Sequence, residues 1–382
     1  MKRVAILGST GSIGRAALEI ASAGRGDIEI VGLSAGGNID ELAKQLQLFP
    51  RAAFTLGQDD DMTRMASRHP SLASRSRGTG RKGIEALIVE TGPDLVVNAL
   101  VGIAGLGPTV TALEAGCAVA LANKETLVSG GRIVMEIVRD RPDMIIPVDS
   151  EHFSLSRCLC GNRADTIELV LTASGGPFFN RDRRELEKVT VEEALNHPTW
   201  RMGRKVTIDS ANLLNKGMEV IEAHWLFGFG LDSIKVVIHP QSIVHSLVRM
   251  RDGSFLAHLG PADMKLPLMS SMYHPEIREF PWENLRIEDI GRLDFIPLDE
   301  GKFPAFGLAM AAARAGGTAP AVLNAADEEA VSAFLSGRIG FLEITDWIEE
   351  ALGAHECRDP RCVEDVMDAD RRTREFLRAR HG

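Results

Sequence analysis

The chain has 382 residues, 45% apolar and 25% charged, which suits an ordinary globular protein of two or three domains, each with its own core. Its formal net charge of -10 gives no support to nucleic-acid binding, although a local cluster of Lys, Ser and Asn can still hold a small anion. The longest weakly polar stretch, residues 99–122, is interrupted by Gly105, Gly107, Pro108 and Glu114, so no membrane-spanning helix is expected. The five cysteines, Cys117, Cys158, Cys160, Cys357 and Cys362, follow no zinc-ligand spacing. They read as reduced thiols, and a soluble cytoplasmic protein is expected.

Met1–Leu7 is too short for a signal-peptide core and reads as a first strand. Gly8-Ser9-Thr10-Gly11-Ser12-Ile13-Gly14 follows at once, then a helix with Ala16, Ala17, Leu18 and Ile20 on its buried side. Strand, glycine turn and helix is the context of a dinucleotide site. The glycines let the backbone approach a pyrophosphate, and the helix N-terminus supplies free N–H groups. The spacing is GxxGxxG rather than GxGxxG, and a tight turn without ligand is the alternative. A second strand, Ile28–Leu33, leads into Ser34-Ala35-Gly36-Gly37-Asn38. No acid stands there before Asp40 to bind ribose hydroxyls, which favours NADP over NAD, yet no Lys or Arg is present for the extra phosphate either. Strands are also expected at Ala86–Val89, Leu95–Asn98 and Ala118–Leu121, alternating with helices, which implies a parallel, doubly wound sheet. Ala122-Asn123-Lys124-Glu125-Thr126 then falls at the carboxyl end of a strand, where such sheets place ligands. Lys124 is either a ligand contact or a surface lysine.

Met144-Ile145-Ile146 reads as a short strand ending at Pro147, followed by Val148-Asp149-Ser150-Glu151-His152. On an extended backbone Asp149 and Glu151 share a face, and adjacent carboxylates repel unless a cation sits between them. All-oxygen ligation suits Mg²⁺ or Mn²⁺. On this stretch alone, a helix cap by Asp149 or Ser150 is the commoner arrangement. Ile167–Thr172 is another strand, and Ser174-Gly175-Gly176-Pro177 after it is either an anion cradle or a plain loop. Asn196–Gly203, holding His197 and Trp200, resembles a lid, with a packed structural Trp as the alternative. A helix introduced at Asp209 and running to Phe227 puts Asn215, Lys216 and Glu219 on one face. That face is either a solvated ion pair or, with Ser210, a phosphate site beside a third metal carboxylate.

Ile234–Ile238, Ile243–Arg249 and Ser254–Leu259 suggest a mostly antiparallel sheet in which His239, His245 and His258 are structural. The stretch 273–297 is aperiodic, and four amphipathic helices at 306–314, 319–336, 343–352 and 363–380 close the chain as a small bundle. The expected fold class is α/β: a Rossmann-like doubly wound parallel sheet, a second α+β domain and a C-terminal helical bundle. The expected divisions are 1–149, 150–273, a linker at 274–299, and 300–382.

Taken together these blocks resemble one family, the 1-deoxy-D-xylulose 5-phosphate reductoisomerases. The likeness is carried by Gly8–Gly14, Ala122-Asn123-Lys124-Glu125, Pro147–His152, Ser174-Gly175-Gly176-Pro177, His197–Gly203, Asp209-Ser210, Asn215–Glu219, His239-Pro240-Gln241-Ser242 and Leu323-Asn324-Ala325-Ala326. They follow the family's order along the whole chain, which moves the balance from helix cap to metal site. The resemblance implies that Asp149, Glu151 and Glu219 hold Mg²⁺, Mn²⁺ or Co²⁺. It implies substrate contacts from Ser150, Glu151, Ser174, His197, Trp200, Ser210, Asn215, Lys216 and Glu219, with Lys124 and His197 among the catalytic groups. It implies NADPH contacts from Thr10, Gly11, Ser12, Ile13, Gly36, Gly37, Asn38, Gly102, Asn123, Lys124, Glu125, Gly203 and Met264, and a homodimer. Gly37 departs from the lysine that many members carry there and removes an expected 2′-phosphate contact. The implied reaction rearranges and reduces a sugar phosphate. Two alternatives are another NADP-dependent oxidoreductase acting on a phosphorylated carbonyl compound and a non-catalytic nucleotide sensor. The first usually needs a catalytic Cys in a strand–helix turn, which Cys158-Leu159-Cys160 does not supply, and the second has no need of the carboxylates.

Overall fold

Seven strands run parallel in the first sheet of the computed structural model, which describes residues 1–24 and 26–382. In chain order they are β1 Lys2–Leu7, β2 Ile28–Ala35, β3 Ala53–Leu56, β4 Ser76–Thr79, β5 Leu95–Asn98, β6 Ala118–Leu121 and β7 Ile145–Pro147. The spatial order is β4-β3-β2-β1-β5-β6-β7, so the winding direction reverses between β1 and β5. That reversal opens a crevice at the strands' carboxyl ends, the usual nucleotide position in such sheets. Val4, Ala5, Ile6, Leu33, Val96, Val97, Val119 and Ala120 are buried, as central strands covered on both faces require.

The second sheet holds β8 Thr166–Ala173, β9 Ile234–Ile238, β10 Val244–Met250, β11 Phe255–Leu259 and β12 Ile296–Pro297, in the order β11-β10-β8-β9-β12. Only β8 and β9 pair in parallel, so the sheet is mostly antiparallel as expected. Helices Pro304–Ala315, Ala319–Leu335, Glu343–Ala354 and Val363–His381 follow. Their core is dominated by small and aromatic side chains, including Ala305, Ala309, Ala326, Ala330, Phe334, Phe341 and Trp347. Helix Leu214–Phe227 packs closely on Pro304–Ala315 because Gly217 leaves room for Ala309, whose Cβ lies 2.4 Å from where a Gly217 Cβ would stand. The expected fold class is therefore present.

Two compact units interleave along the chain. One comprises Met1–Asn123, Val134–Asp149 and Asp263–Pro281; the other comprises Lys124–Ile133, Ser150–Ala262 and Trp282–Gly382. In the first, helix Lys265–Tyr273 lies on helix Ser12–Ala23, with Lys265 Nζ 2.6 Å from Glu19 Oε1.

Three local expectations are corrected. Residues 86–89 belong to helix Gly80–Thr91, not to a strand: Leu87 and Ile88 are buried while Val89 is exposed, a helical pattern. The stretch after β7 is not extended, because helix Ser150–Leu159 begins directly after Asp149. Asp209 does not begin the helix that carries Glu219; it lies in Arg204–Ala211. A break at Asn212–Leu213, where Leu213 takes φ +63°, separates that helix from the next. The Asn212 side chain accepts the Leu214 N–H across the break.

Candidate active site

In the first unit, glycines shape the turn after β1. Gly8, at φ +82°, ends β1 against Ala99 just beyond β5, and a Cβ there would lie 2.6 Å from the Ala99 carbonyl oxygen. A Cβ on Gly14 would lie 2.3 Å from the Gly8 oxygen, so the helix can approach the strand only with glycine at that position. Gly11 precedes helix Ser12–Ala23 and no side chain caps it, which leaves the first-turn N–H groups to an anion. Thr10, Ser12 and Ile13 line this same turn. Gln45 fixes the turn from beneath, donating to the Ser9 carbonyl at 3.0 Å and accepting from Ser9 Oγ at 2.7 Å.

Gly36, Gly37 and Asn38 follow β2, and Asn38 Oδ1 caps the next helix through Glu41 N at 3.2 Å. Gly102, at φ +67°, opens a turn pinned by Asn123, which donates to the carbonyls of Leu100 and Gly102, both at 2.9 Å. Met264 immediately precedes helix Lys265–Tyr273.

In the second unit a charged cluster is organised by helix Leu214–Phe227. Glu219 accepts from Lys124 Nζ at 3.0 Å, from Asn215 Nδ2 and from Lys216 Nζ. Asn215 and Lys216 reach it from one helical turn away, so the shared face read from the sequence is real. Lys216 also reaches Glu151 Oε1 at 2.7 Å, and Lys124 donates to Asn215 Oδ1 at 2.8 Å. Ser150 donates to Glu151 Oε2. Glu151 and Glu219 each offer a carboxylate oxygen, within 4.8 Å of one another, and Asp149 directly precedes the helix that carries Glu151. The carboxylates converge through the turn into the helix at Ser150, not through strand alternation. Burial disfavours the Lys216 charge, but Glu151 and Glu219 outweigh that and hold its pKa above the ordinary lysine value.

Two buried features were not read from the sequence. The Glu219 carbonyl accepts from His152 Nε2 at 2.9 Å, while the other ring nitrogen faces Glu222 Oε2 at 3.5 Å. His152 thus ties the two carboxylate-bearing helices together. The i,i+3 spacing of Glu219 and Glu222 was the available signal. Lys205 sits between Asp209, at 2.7 Å, and Asp327, with Glu125 adding to its field. Burial, then the neighbouring Asp209, push the Asp327 pKa well up despite Lys205, and burial also raises Glu125.

A folded-state pKa above the unfolded value means that ionising Asp327 opposes folding. That cost is absent below the unfolded pKa and grows as pH rises towards the folded one.

A second cluster lies around β8. His197 Nδ1 accepts the backbone N–H groups of Thr199 and Trp200 at 3.1 and 2.9 Å, so the ring proton resides on Nε2. Nε2 donates to Ser174 Oγ at 2.9 Å, and burial lowers the His197 pKa, keeping this neutral donor form. Ser174 Oγ also accepts from Gly176 N at 3.2 Å, which leaves its hydroxyl hydrogen as a donor. Gly176, at φ +65°, abuts Ser210: a Cβ would lie 2.7 Å from the Ser210 carbonyl oxygen. Gly203 starts helix Arg204–Ala211, and Trp200 is half-buried with its ring 6.0 Å from that of His245.

His239 is structural, its Nδ1 donating to the Asp294 carbonyl at 2.8 Å while Nε2 accepts from Ile243 and Val244 N–H. Burial and the neighbouring His258 bring His245 down to about 4.

Three family models match the chain: 1-deoxy-D-xylulose 5-phosphate reductoisomerase over residues 4–131, the C-terminal domain of that family over 145–227, and the DXP reductoisomerase C-terminal domain over 259–376. A 1-deoxy-D-xylulose 5-phosphate reductoisomerase of Heliobacterium modesticaldum is 45% identical, across 100% of this chain and 98% of its own length. That of Caldanaerobacter subterraneus is 46% identical over 99% and 98%. Among solved structures, the Zymomonas mobilis reductoisomerase in complex with NADPH superposes with TM-score 0.90 at 35% identity, covering 99% of this chain and 98% of that one. A DOX-P reductoisomerase in complex with NADPH, fosmidomycin and magnesium gives 0.92 at 34% identity, with the same coverage.

Proposed function

The chain belongs to the 1-deoxy-D-xylulose 5-phosphate reductoisomerase family, and from that premise we infer the work of its individual residues. It is an NADPH- and divalent-metal-dependent oxidoreductase that rearranges and reduces 1-deoxy-D-xylulose 5-phosphate to 2-C-methyl-D-erythritol 4-phosphate, in non-mevalonate isoprenoid synthesis. The observation that carries the residue assignment is the approach of Glu151 and Glu219 to within 4.8 Å, with Asp149 next to Ser150 in the chain. The donor set fits a hard divalent cation, since carboxylate oxygens would hold it and, without it, Lys124 and Lys216 balance Glu219 and Glu151. The cradle that any Cβ on Gly8 or Gly14 would fill, together with an uncapped helix N-terminus, fits the pyrophosphate of NADPH.

When bound, these groups supply Lewis acidity towards the ketone and its neighbouring hydroxyl, and a hydride for the rearranged aldehyde. The protein's part is binding and orientation. We assign the phosphate end to Ser174, His197, Ser210, Asn215 and Lys216. His197 serves there as a neutral Nε2–H donor, and Ser174 keeps a hydroxyl hydrogen to donate. Lys124 and Ser150 are assigned to the reacting carbons, a reading supported by their hydrogen bonds to Glu219 and Glu151. Trp200 is assigned to a lid that excludes water, closed at the expense of binding energy from the remote phosphate.

Nucleotide contacts are assigned to Thr10, Gly11, Ser12, Ile13, Gly36, Gly37, Asn38, Gly102 and Asn123, with Lys124, Glu125, Gly203 and Met264 at the nicotinamide end. By function, residues 1–149 bind the nucleotide and 150–273 the metal and substrate, with 274–299 as a connection and 300–382 as a helical support.

We propose a cytoplasmic homodimer. Among the described residues no helix is long and apolar enough to cross a membrane. Edge strand β11 leaves Phe255 and Leu256 exposed, an apolar edge suited to a second copy.

The direct test follows NADPH oxidation on adding 1-deoxy-D-xylulose 5-phosphate with Mg²⁺ or Mn²⁺, then with excess chelator. Oxidation that requires both substrate and metal is expected. Oxidation insensitive to chelator would remove the carboxylates from the reaction.

A further inference from the structure

No lysine or arginine stands between the end of β2 and Asn38, yet the structure brings other charges to that position. Gly37 lies against Asp61: a Cβ on Gly37 would stand 3.1 Å from Asp61 Oδ2 and 3.6 Å from Oδ1. Asp61 comes from helix Asp59–Arg68, which follows β3, so no reading of the β2 end alone could find it. Its carboxylate pairs with Arg64 Nη1 at 2.9 Å, and the guanidinium is exposed while the carboxylate is mostly covered.

Side chains are also absent from the neighbouring strand ends. Gly57, after β3, donates its N–H to the Gly36 carbonyl at 2.9 Å, and a Cβ on Gly80, after β4, would be 3.7 Å from the Gly57 oxygen. Gly36, Gly57 and Gly80 thus form a bare backbone ledge near the Asp61–Arg64 ion pair. In a doubly wound sheet the carboxyl end of β2 faces the adenosine ribose, where an acid accepts the free 2′-hydroxyl and a cation takes a 2′-phosphate. Here both kinds of group are supplied by one helix.

We propose that the Asp61–Arg64 pair reads the 2′ position of the adenosine ribose, Arg64 binding the phosphate of NADPH and Asp61 accepting the hydroxyl of NADH. This rests on the nucleotide site assigned above. Arg64 is the mobile partner, since its long exposed side chain can leave Asp61 for a dianion at little cost. Asp61 opposes the phosphate by charge, so the two residues act in opposite directions and NADH remains a usable ligand.

The test is binding of NADPH and of NADH to the full-length, metal- and substrate-free protein, measured by calorimetry or by quenching of tryptophan fluorescence. Arg64→Gln should weaken NADPH by at least about tenfold, the loss expected for a hydrogen bond to a charged group, with NADH changed by less than about twofold. Asp61→Asn should do the reverse, tightening NADPH and weakening NADH several-fold. Arg64 is exposed and Asp61 only partly so, and unchanged melting temperatures would verify that the variants are folded. Should either variant leave the ratio of the two affinities unmoved while the parent binds both nucleotides, the pair does not read the ribose. Should the parent bind neither nucleotide, the nucleotide site itself is misassigned.

Discussion

Replacing Glu151 with Gln is expected to reduce kcat/KM by at least about a thousandfold while leaving the fold intact. The expectation comes from charge. Gln keeps the shape and can still accept from Lys216, which lies 2.7 Å from Glu151 Oε1, and it still meets the Ser150 hydroxyl. What it loses is an anionic oxygen that lies within 4.8 Å of one from Glu219 and is assigned to the cation. A bound cation that polarises a carbonyl contributes several kcal/mol, and each ~1.4 kcal/mol is tenfold in rate. Turnover should be measured across a range of Mg²⁺ and Mn²⁺, alongside the melting temperature and NADPH affinity, both of which should stay near the parent's. Parent-like turnover at saturating metal would show that Glu151 is not a ligand.

Lys216→Ala should act twice. In the absence of metal the ammonium of Lys216 is the counter-charge lying between Glu151 and Glu219, and both Lys216 and Glu219 are almost wholly buried. Breaking a buried ion pair outright typically costs about 3–5 kcal/mol, and here the cost should be smaller because Glu219 keeps Lys124 Nζ at 3.0 Å. The metal-free variant should therefore melt below the parent, and Mn²⁺ or Mg²⁺ should recover much of the loss because the cation replaces the missing charge. With metal present the KM for the sugar phosphate should rise more than kcat falls, as expected for a residue that holds the remote phosphate. A metal-independent loss of stability would mean that Lys216 packs rather than balances charge. An unchanged KM would end its phosphate role.

The parts legible in sequence were those written in contiguous residues. Gly8–Gly14 announced its turn because the strand before it and the helix after it were both readable, and Asn215, Lys216 and Glu219 declared a common face through helical spacing alone. Strands β3 and β4 escaped notice for a physical reason. Ser76–Thr79 contains no apolar residue, and Ala53–Leu56 has Thr55 inside it, so it lacks the continuous apolar run that marks Leu95–Val97 and Ala118–Leu121. Ala86–Val89 misled because a short apolar run has the same composition in a buried strand and on one side of a helix. Asp149 and Glu151 were paired for the wrong local reason, since the chain turns into a helix at Ser150. The Lys205–Asp209–Asp327 cluster and the Asp61–Gly37 contact join distant segments, and no spacing rule reaches across them.

The interleaving of the two units has a consequence for synthesis on the ribosome. Helix Lys265–Tyr273, which lies on helix Ser12–Ala23, emerges only after the whole of Ser150–Ala262 has been translated. At ~5–20 residues per second that delay is on the order of ten seconds. Through that interval the nascent nucleotide unit holds its seven strands but lacks the cover over its first helix. The first unit therefore lacks its last segment, Asp263–Pro281, until most of the second has been made. A nascent chain arrested before Asp263 presents an unfinished apolar flank to whatever chaperone stands at the tunnel exit.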